Sequence, residues 1–249
     1  RYPRDFLLAT KAADVWRAHR TGRIAMLMGI EGGHAIENSL PALRAYAALG
    51  VRYMTLTHNT TLAWVDAVND SARHNGLTPF GREVVREMNR LGVLVDLAHV
   101  SDSVAVQAIR LSEAPVIFSH SAARALADHP RNVPDEILRM LPQNGGVVMV
   151  NFYCDFVDSA RVRDNRERRA QRSALQDRHG ADTAAVRQGL QAWEAAHPVP
   201  AAPTLATVAD HIDHVRQVAG IDHVAYGSDF DGIDCAPTGL DDVSAFPRL

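Results

Sequence analysis

Six apolar runs divide the chain, at residues 24–30, 51–57, 93–98, 115–119, 145–152 and 223–226. They are nearly continuous, as in strands buried on both faces of a parallel sheet, and not alternating as in strands with one wet face. Between them the apolar spacing changes to three or four residues, and helices are expected at 5–20 through Phe6, Leu7, Leu8, Ala12, Ala13 and Trp16, at 39–49, and at 80–91 through Phe80, Val84, Val85, Met88 and Leu91. Gly22, Gly50 and Gly92 stand where these three should stop. Ser101 reads as the N-cap of a fourth helix, 135–140 as a short one, and 205–219 as another through Leu205, Val208, Ile212, Val215 and Val218. A strand–helix alternation of this kind suits either an open doubly wound sheet or an eight-stranded barrel. Polar side chains follow nearly every run, which favours the barrel, because open sheets concentrate their site at one switch point.

The expected fold is therefore α/β, a (β/α)8 TIM-type barrel lacking its first and last units in this chain. Residues 1–249 are expected to form a single domain, incomplete at both ends. Two stretches fall outside the alternation. Residues 59–79 form a long polar loop with Trp64, Asp66, Asn69, Asp70 and His74, of a length that is usually functional or disordered. Residues 155–203 are rich in Arg, Ala, Gln and Asp, and are expected to be a helical insertion over one rim of the barrel mouth.

Four of the runs end directly against a titratable side chain: Glu31, His58, His99 and His120. One histidine at a strand end is most simply a hydrogen-bonded structural residue. Two in consecutive strand–helix units are different, since neighbouring parallel strands lie about 5 Å apart and their ends can meet on one ion. Glu31, at the end of the 24–30 run, is costly there unless paired or bound to a cation. Glu31, His99 and His120 thus make a set of two imidazoles and one carboxylate, of the kind that binds zinc and leaves positions open for water. Asp229, after the last run, is placed to shuttle a proton between metal-activated water and a leaving amine, with turn capping as its alternative role. His58 could donate to a tetrahedral oxyanion, and Arg131 could clamp a carboxylate in bidentate fashion.

Composition narrows the partners. A formal net charge of -3 gives no sign of nucleic acid or an anionic membrane as partner. The basic stretch RVRDNRERRAQR has interspersed acids and no aromatics, as a solvated helix face does. No run reaches the roughly 18 apolar residues of a membrane span. Cys154 and Cys235 are far apart and lack metal-like spacing, so no disulfide is expected and a cytoplasmic protein is the simpler expectation.

EGGH (31–34), LTHNT (56–60), DLAHVS (96–101), FSHS (118–121), HPRNVPD (129–135), VNFY (150–153) and GSDFDG (227–232) occur in this order. The set resembles the membrane dipeptidase (renal dipeptidase) family of the amidohydrolase superfamily. That resemblance implies a barrel with a two-zinc site hydrolysing small dipeptides, often with a D-residue on the C-terminal side. It matches Glu31 to the bridging carboxylate and His99 and His120 to the second metal. His58 and Asp229 match the residues that stabilise the intermediate and move the proton, and Arg131 and Tyr153 match substrate-contacting positions. The family's first-strand His-x-Asp pair has no counterpart before Glu31, and the chain stops at DDVSAFPRL, so an internal piece of a longer barrel is expected. The superfamily's other bridge, a carbamylated lysine, would require Lys11, the sole lysine, which falls in an early helix. An N-acyl-D-amino-acid deacylase and a non-catalytic metal- or peptide-binding barrel are the competing functions. A second copy of the chain, in a homodimer, is the other partner considered.

Overall fold

The computed structural model describes residues 2–249, and by contact the chain divides into two compact units. The first runs up to Ser119 and takes in 136–148; the second comprises 120–135 and 149–249.

The first unit contains β1 (Phe6–Leu8), α1 (Ala12–Arg20), β2 (Ile24–Met26), β3 (Met28–Glu31), α2 (Leu40–Ala48), β4 (Val51–Thr55), α3 (Pro79–Leu91), β5 (Leu94–Asp96) and α4 (Asp102–Leu111). The division then falls inside β6 (Ile117–Ser121), inside the short α5 (Asp135–Leu138) and, past α6 (Leu141–Asn144), inside β7 (Val147–Val150). β1 and β2 pair with each other, and β3 to β7 follow one another in chain order, with β3–β4, β4–β5 and β5–β6 all parallel. That is the strand succession of a TIM-type α/β fold. Caps fix the helix ends: the hydroxyls of Ser39, Thr78 and Ser101 accept N–H groups of Ala42, Gly81 and Val104, so the sequence boundaries of α2, α3 and α4 hold to within a residue or two. The core lies where Val84, Val85 and Met88 of α3 are buried together with Met54, Leu56, Val95 and Leu97 of the β4 and β5 segments, each side chain contributing about 1.5–3 kcal/mol on burial.

The second unit contains the ends of β6 and β7, then α7 (Cys154–Val157), α8 (Ser159–His179), α9 (Thr183–Ala196), α10 (Leu205–Ala219) and β8 (Val224–Tyr226) next to β7. The 155–203 stretch is helical as expected. Its arginines make ion pairs with acids, Arg161 with Asp155 at 2.7 Å and Arg168 of α8 with Glu194 of α9 at 2.9 Å. Phe152 is fully buried, edge-on to Phe230 and Phe246 at 5.7 and 5.8 Å between ring centres.

Four expectations need correction. Residues 5–20 are not one helix: Phe6–Leu8 pairs as β1 with β2, and the helix starts only after Thr10, whose N–H and hydroxyl donate to the Asp14 carboxylate at 3.0 and 3.2 Å. The 24–30 run is not one buried strand. It breaks at Leu27 into strands of two different sheets, and Ile24, Met26 and Leu27 are 60, 47 and 42% exposed, because β2 has only β1 beside it and β3 only β4. His120 lies within β6, not beyond it. Finally, Cys154 and Cys235 form a disulfide, with Cα atoms 5.6 Å apart across a separation of 81 residues. β7 and β8 are neighbours, so the loops that follow them meet, which spacing alone cannot reveal. The bond removes the ground on which a reducing compartment was expected.

Candidate active site

Glu31 ends β3, and Gly32 behind it turns the chain at φ 107°, a region open to glycine at little cost. At Gly33 a Cβ would sit 2.5 Å from the Leu56 carbonyl oxygen and 2.6 Å from the Trp64 ring. The two glycines therefore press the backbone against β4's end and hold Glu31 there. His58 follows β4 and His99 follows β5. His99 is a buried residue at φ 69°, left-handed and costly for a side chain of this kind. Its carbonyl accepts the Val68 N–H at 2.9 Å, which ties it to the 59–78 loop.

The result is a convergence. Glu31 Oε1 lies 3.1 Å from His99 Nε2, and the His58 and His99 rings meet edge-on at 4.6 Å. Ligand atoms of Glu31, His58 and His99 all fall within 4.8 Å of one another, and among the described residues no other group of three or more does so. One carboxylate and two imidazoles are donors that fit zinc or a similar divalent ion. His58 stands in this group, whereas His120, expected as the second imidazole, belongs to the other unit.

Two acids hold this cluster's supports: Asp96, assigned no role from the sequence, and Asp66, named there only as part of the long loop. Asp96, fully buried at the end of β5, accepts the Thr55 and Ser119 hydroxyls, each at 2.6 Å, and the N–H groups of Ser119 and Ala98 at 2.9 and 3.1 Å. It fastens β4 and β6 to β5 three residues before His99. Asp66 does the same for the long loop. Burial alone would push its carboxyl up, but the N–H groups of Arg73, Gly76 and His74 outweigh this and hold it below the usual carboxylate range. The loop is thus ordered around one acid, with Trp64 buried beneath it. An acid inside an apolar run, as in VLVDLA, was the available signal.

The second unit gathers His120, Arg131, Tyr153 and Asp229. Arg131 is buried, donates from Nη2 to the His120 carbonyl at 3.4 Å, and lies with its guanidinium carbon 5.4 Å from the Phe156 ring centre. Its backbone N–H donates to His129 Nδ1, which can accept because burial, then the charges of Arg131 and Arg169, hold the His129 imidazole down at about 4. The Tyr153 hydroxyl donates to Asp155 at 3.2 Å, and burial, then Asp155 and Asp234, push its phenol well above the ordinary value. Asp229 sits at φ 64°, half-buried, and its Oδ2 accepts the Asn151 amide at 3.1 Å. Asn151, fully buried, is a second residue the sequence left unassigned.

The family described as membrane dipeptidase (peptidase family M19) matches residues 1–249. The chain is 40% identical over 250 residues to Dipeptidase verJ of Clonostachys rogersoniana, covering 100% of this chain and 54% of that protein. It is also 40% identical over 250 residues to an uncharacterized dipeptidase of Schizosaccharomyces pombe, covering 100% and 52%. The chain spans about half the length of these curated relatives. Among solved structures, the probable dipeptidase PvdM from Pseudomonas aeruginosa aligns with a TM-score of 0.82 at 27% identity, over 98% of this chain and 67% of that one. A metallo peptidase from Rhodobacter sphaeroides, liganded with a phosphinate mimic of the dipeptide L-Ala-D-Ala, aligns with a TM-score of 0.73 at 28% identity, over 98% and 60%. Strand succession, strand-end chemistry and these likenesses agree: the chain has the TIM-type α/β fold and belongs to the membrane dipeptidase family, peptidase family M19.

Proposed function

We propose that the protein to which this chain belongs is a zinc-dependent dipeptidase, with residues 1–249 acting as one hydrolase domain and 155–203 as its helical insertion. The observation that carries this is the convergence of Glu31, His58 and His99 at consecutive strand ends in a chain of this family. Glu31, His99 and His120 would hold the metal. When bound, the metal polarises the scissile carbonyl and lowers the pKa of water. The chain's own side chains do the rest. His58 donates to the oxygen that gains charge at the carbonyl carbon. Asp229 takes a proton from the attacking water and delivers it to the leaving amine, so one carboxylate serves as base and then as acid. Arg131 binds the free carboxylate of the dipeptide, for which a planar two-pronged cation is suited, and Tyr153 lines the same substrate. A D-residue at the C-terminal side is the preferred substrate class, by likeness to the Rhodobacter sphaeroides protein with its L-Ala-D-Ala mimic.

The test is made on the complete protein, stripped of metal and reloaded with zinc, against L,L- and L,D-dipeptides, their C-terminal amides and N-acyl-D-amino acids. Free dipeptides are expected to be cleaved and amides poorly, and Asp229→Asn should lower kcat by about 10² to 10⁴ with bound metal unchanged. Preferred turnover of N-acyl-D-amino acids would replace dipeptidase by deacylase. Normal kcat with a lowered melting point in Asp229→Asn would return Asp229 to a turn cap.

A further inference from the structure

An acid that moves a proton has to present one chosen oxygen, and Asp229 is held on both sides by residues outside the catalytic set. On one side is Asn151. Its orientation is fixed by chemistry, because the Tyr153 backbone N–H points at one end of the amide and can only donate, so that end is Oδ1. The other end is then the NH2 group, which donates to Asp229 Oδ2 at 3.1 Å. Asn151 cannot swing away, since it is fully buried and its own N–H donates to the Ser121 carbonyl at 3.1 Å. On the other side is Gly232. A Cβ there would stand 2.5 Å from Asp229 Oδ1, so the carboxylate occupies the space a side chain would fill. The backbone keeps the partners in step: Gly227 N–H donates to the Val150 carbonyl at 2.9 Å and Phe152 N–H to the Ser228 carbonyl at 3.3 Å, so the residue after β7 faces the turn after β8. Asp229 itself is at φ 64°, a left-handed conformation uncommon for residues other than glycine.

We propose that Asn151 is a positioning residue, which occupies Oδ2 of Asp229 and leaves Oδ1, seated over Gly232, as the oxygen that takes and returns the proton. This rests on Asp229 being the proton carrier. An amide NH2 supplies a donor to Oδ2 and no acceptor, so a proton arriving at the carboxylate is directed to Oδ1. No bond to substrate is made or broken by Asn151.

The experiment is a double-mutant cycle in the complete zinc-loaded protein, read as kcat and KM on a dipeptide together with metal content and melting midpoint. Asn151→Asp keeps an oxygen for the Tyr153 N–H and replaces the donor facing Asp229 by an acceptor. It should lower kcat about 10- to 100-fold, the loss expected when a reacting group is misplaced by an ångström or less, with KM within about twofold. In an Asp229→Asn background the same change should lower kcat no further, since coupled residues are non-additive. Gly232→Ala, at an exposed position, tests the other side without touching a buried residue and should lower kcat at an unchanged melting midpoint, which keeps the question answerable if Asn151→Asp fails to fold. Equal losses from Asn151→Asp in both backgrounds, or normal kcat in Gly232→Ala, overturn the positioning role. Normal kcat in Asp229→Asn alone overturns the proton-carrier reading first and this inference with it, an outcome distinct from either.

Discussion

Two acids close strands of the first unit, and the protein treats them in opposite ways. Glu31, at the end of β3, has a side chain 49% exposed and faces the imidazoles of His99 and His58. Asp96, at the end of β5, is fully buried and surrounded by four donors from Thr55, Ala98 and Ser119. A buried carboxylate is tolerable only when its lone pairs are satisfied, and Asp96 meets that condition from within the fold. Glu31 is held instead beside two imidazoles whose ring nitrogens could join it in holding a cation. Burial with donors therefore goes with an acid that fastens strands, and partial exposure among imidazoles is the arrangement on which the proposed metal role of Glu31 rests. A place at the end of a strand is common to both and separates nothing.

The sharpest way to break this comparison is Glu31→Gln in the complete protein. If Glu31 is a ligand, metal content falls and activity drops by about 10³ or more, the equivalent of the several kcal/mol that a metal's charge supplies to a transition state. The melting midpoint of the metal-free protein stays close to that of the metal-free wild type, since a half-exposed side chain contributes little packing. Full metal content in this variant would remove Glu31 from the site.

Asp96→Asn inverts the expectation. The amide turns one acceptor into a donor that faces hydroxyl and N–H donors, and leaving such groups unsatisfied costs about 1–3 kcal/mol. In a chain of this size that is a fall of roughly 2–10 °C in melting midpoint. Metal bound per folded molecule should not change, and loss of metal at an unchanged midpoint would show that Asp96 belongs with Glu31 after all.

What was legible follows the same division between local and distant causes. α10 was readable to the residue, and the caps of α2, α3 and α4 nearly so, because hydroxyl, glycine and apolar spacing act within one turn of helix. His58 and His99 were readable for a similar reason, each following its own strand, whereas His120 falls within β6. Residues 5–20 misled because Phe6, Leu7 and Leu8 fit a helix stripe as well as a strand, and only pairing with residues 24–26 decides between them. Exposure of Ile24 and Met26, the Cys154–Cys235 bond and the Asn151–Asp229 contact are equally non-local, spanning strands that no window of sequence contains. Asp96 was visible inside VLVDLA, yet its four donors come from three different segments.

A third acid gives the smallest effect and a test by pH. Glu87 of α3 receives Arg90 of its own helix at 2.7 Å and Arg44 of α2 at 2.5 Å. Hydrogen bonds from Arg90, then Arg44, hold its carboxyl at about 2. Its partners are charged but exposed, 61 and 50% at the side chain, so solvent screens the attraction and the cluster contributes only about 1 kcal/mol or less. Because the folded-state value is depressed, the unfolded chain takes up the proton first as acid is added. The contribution is therefore complete above about 4.5, and it fades as pH falls through about 2. Denaturant titrations of the wild type and Glu87→Gln should show a small gap at pH 7 that closes between these limits. A gap independent of pH would mean that Glu87 joins α2 to α3 through packing and neutral hydrogen bonding, as Asp96 joins its strands, and not through charge.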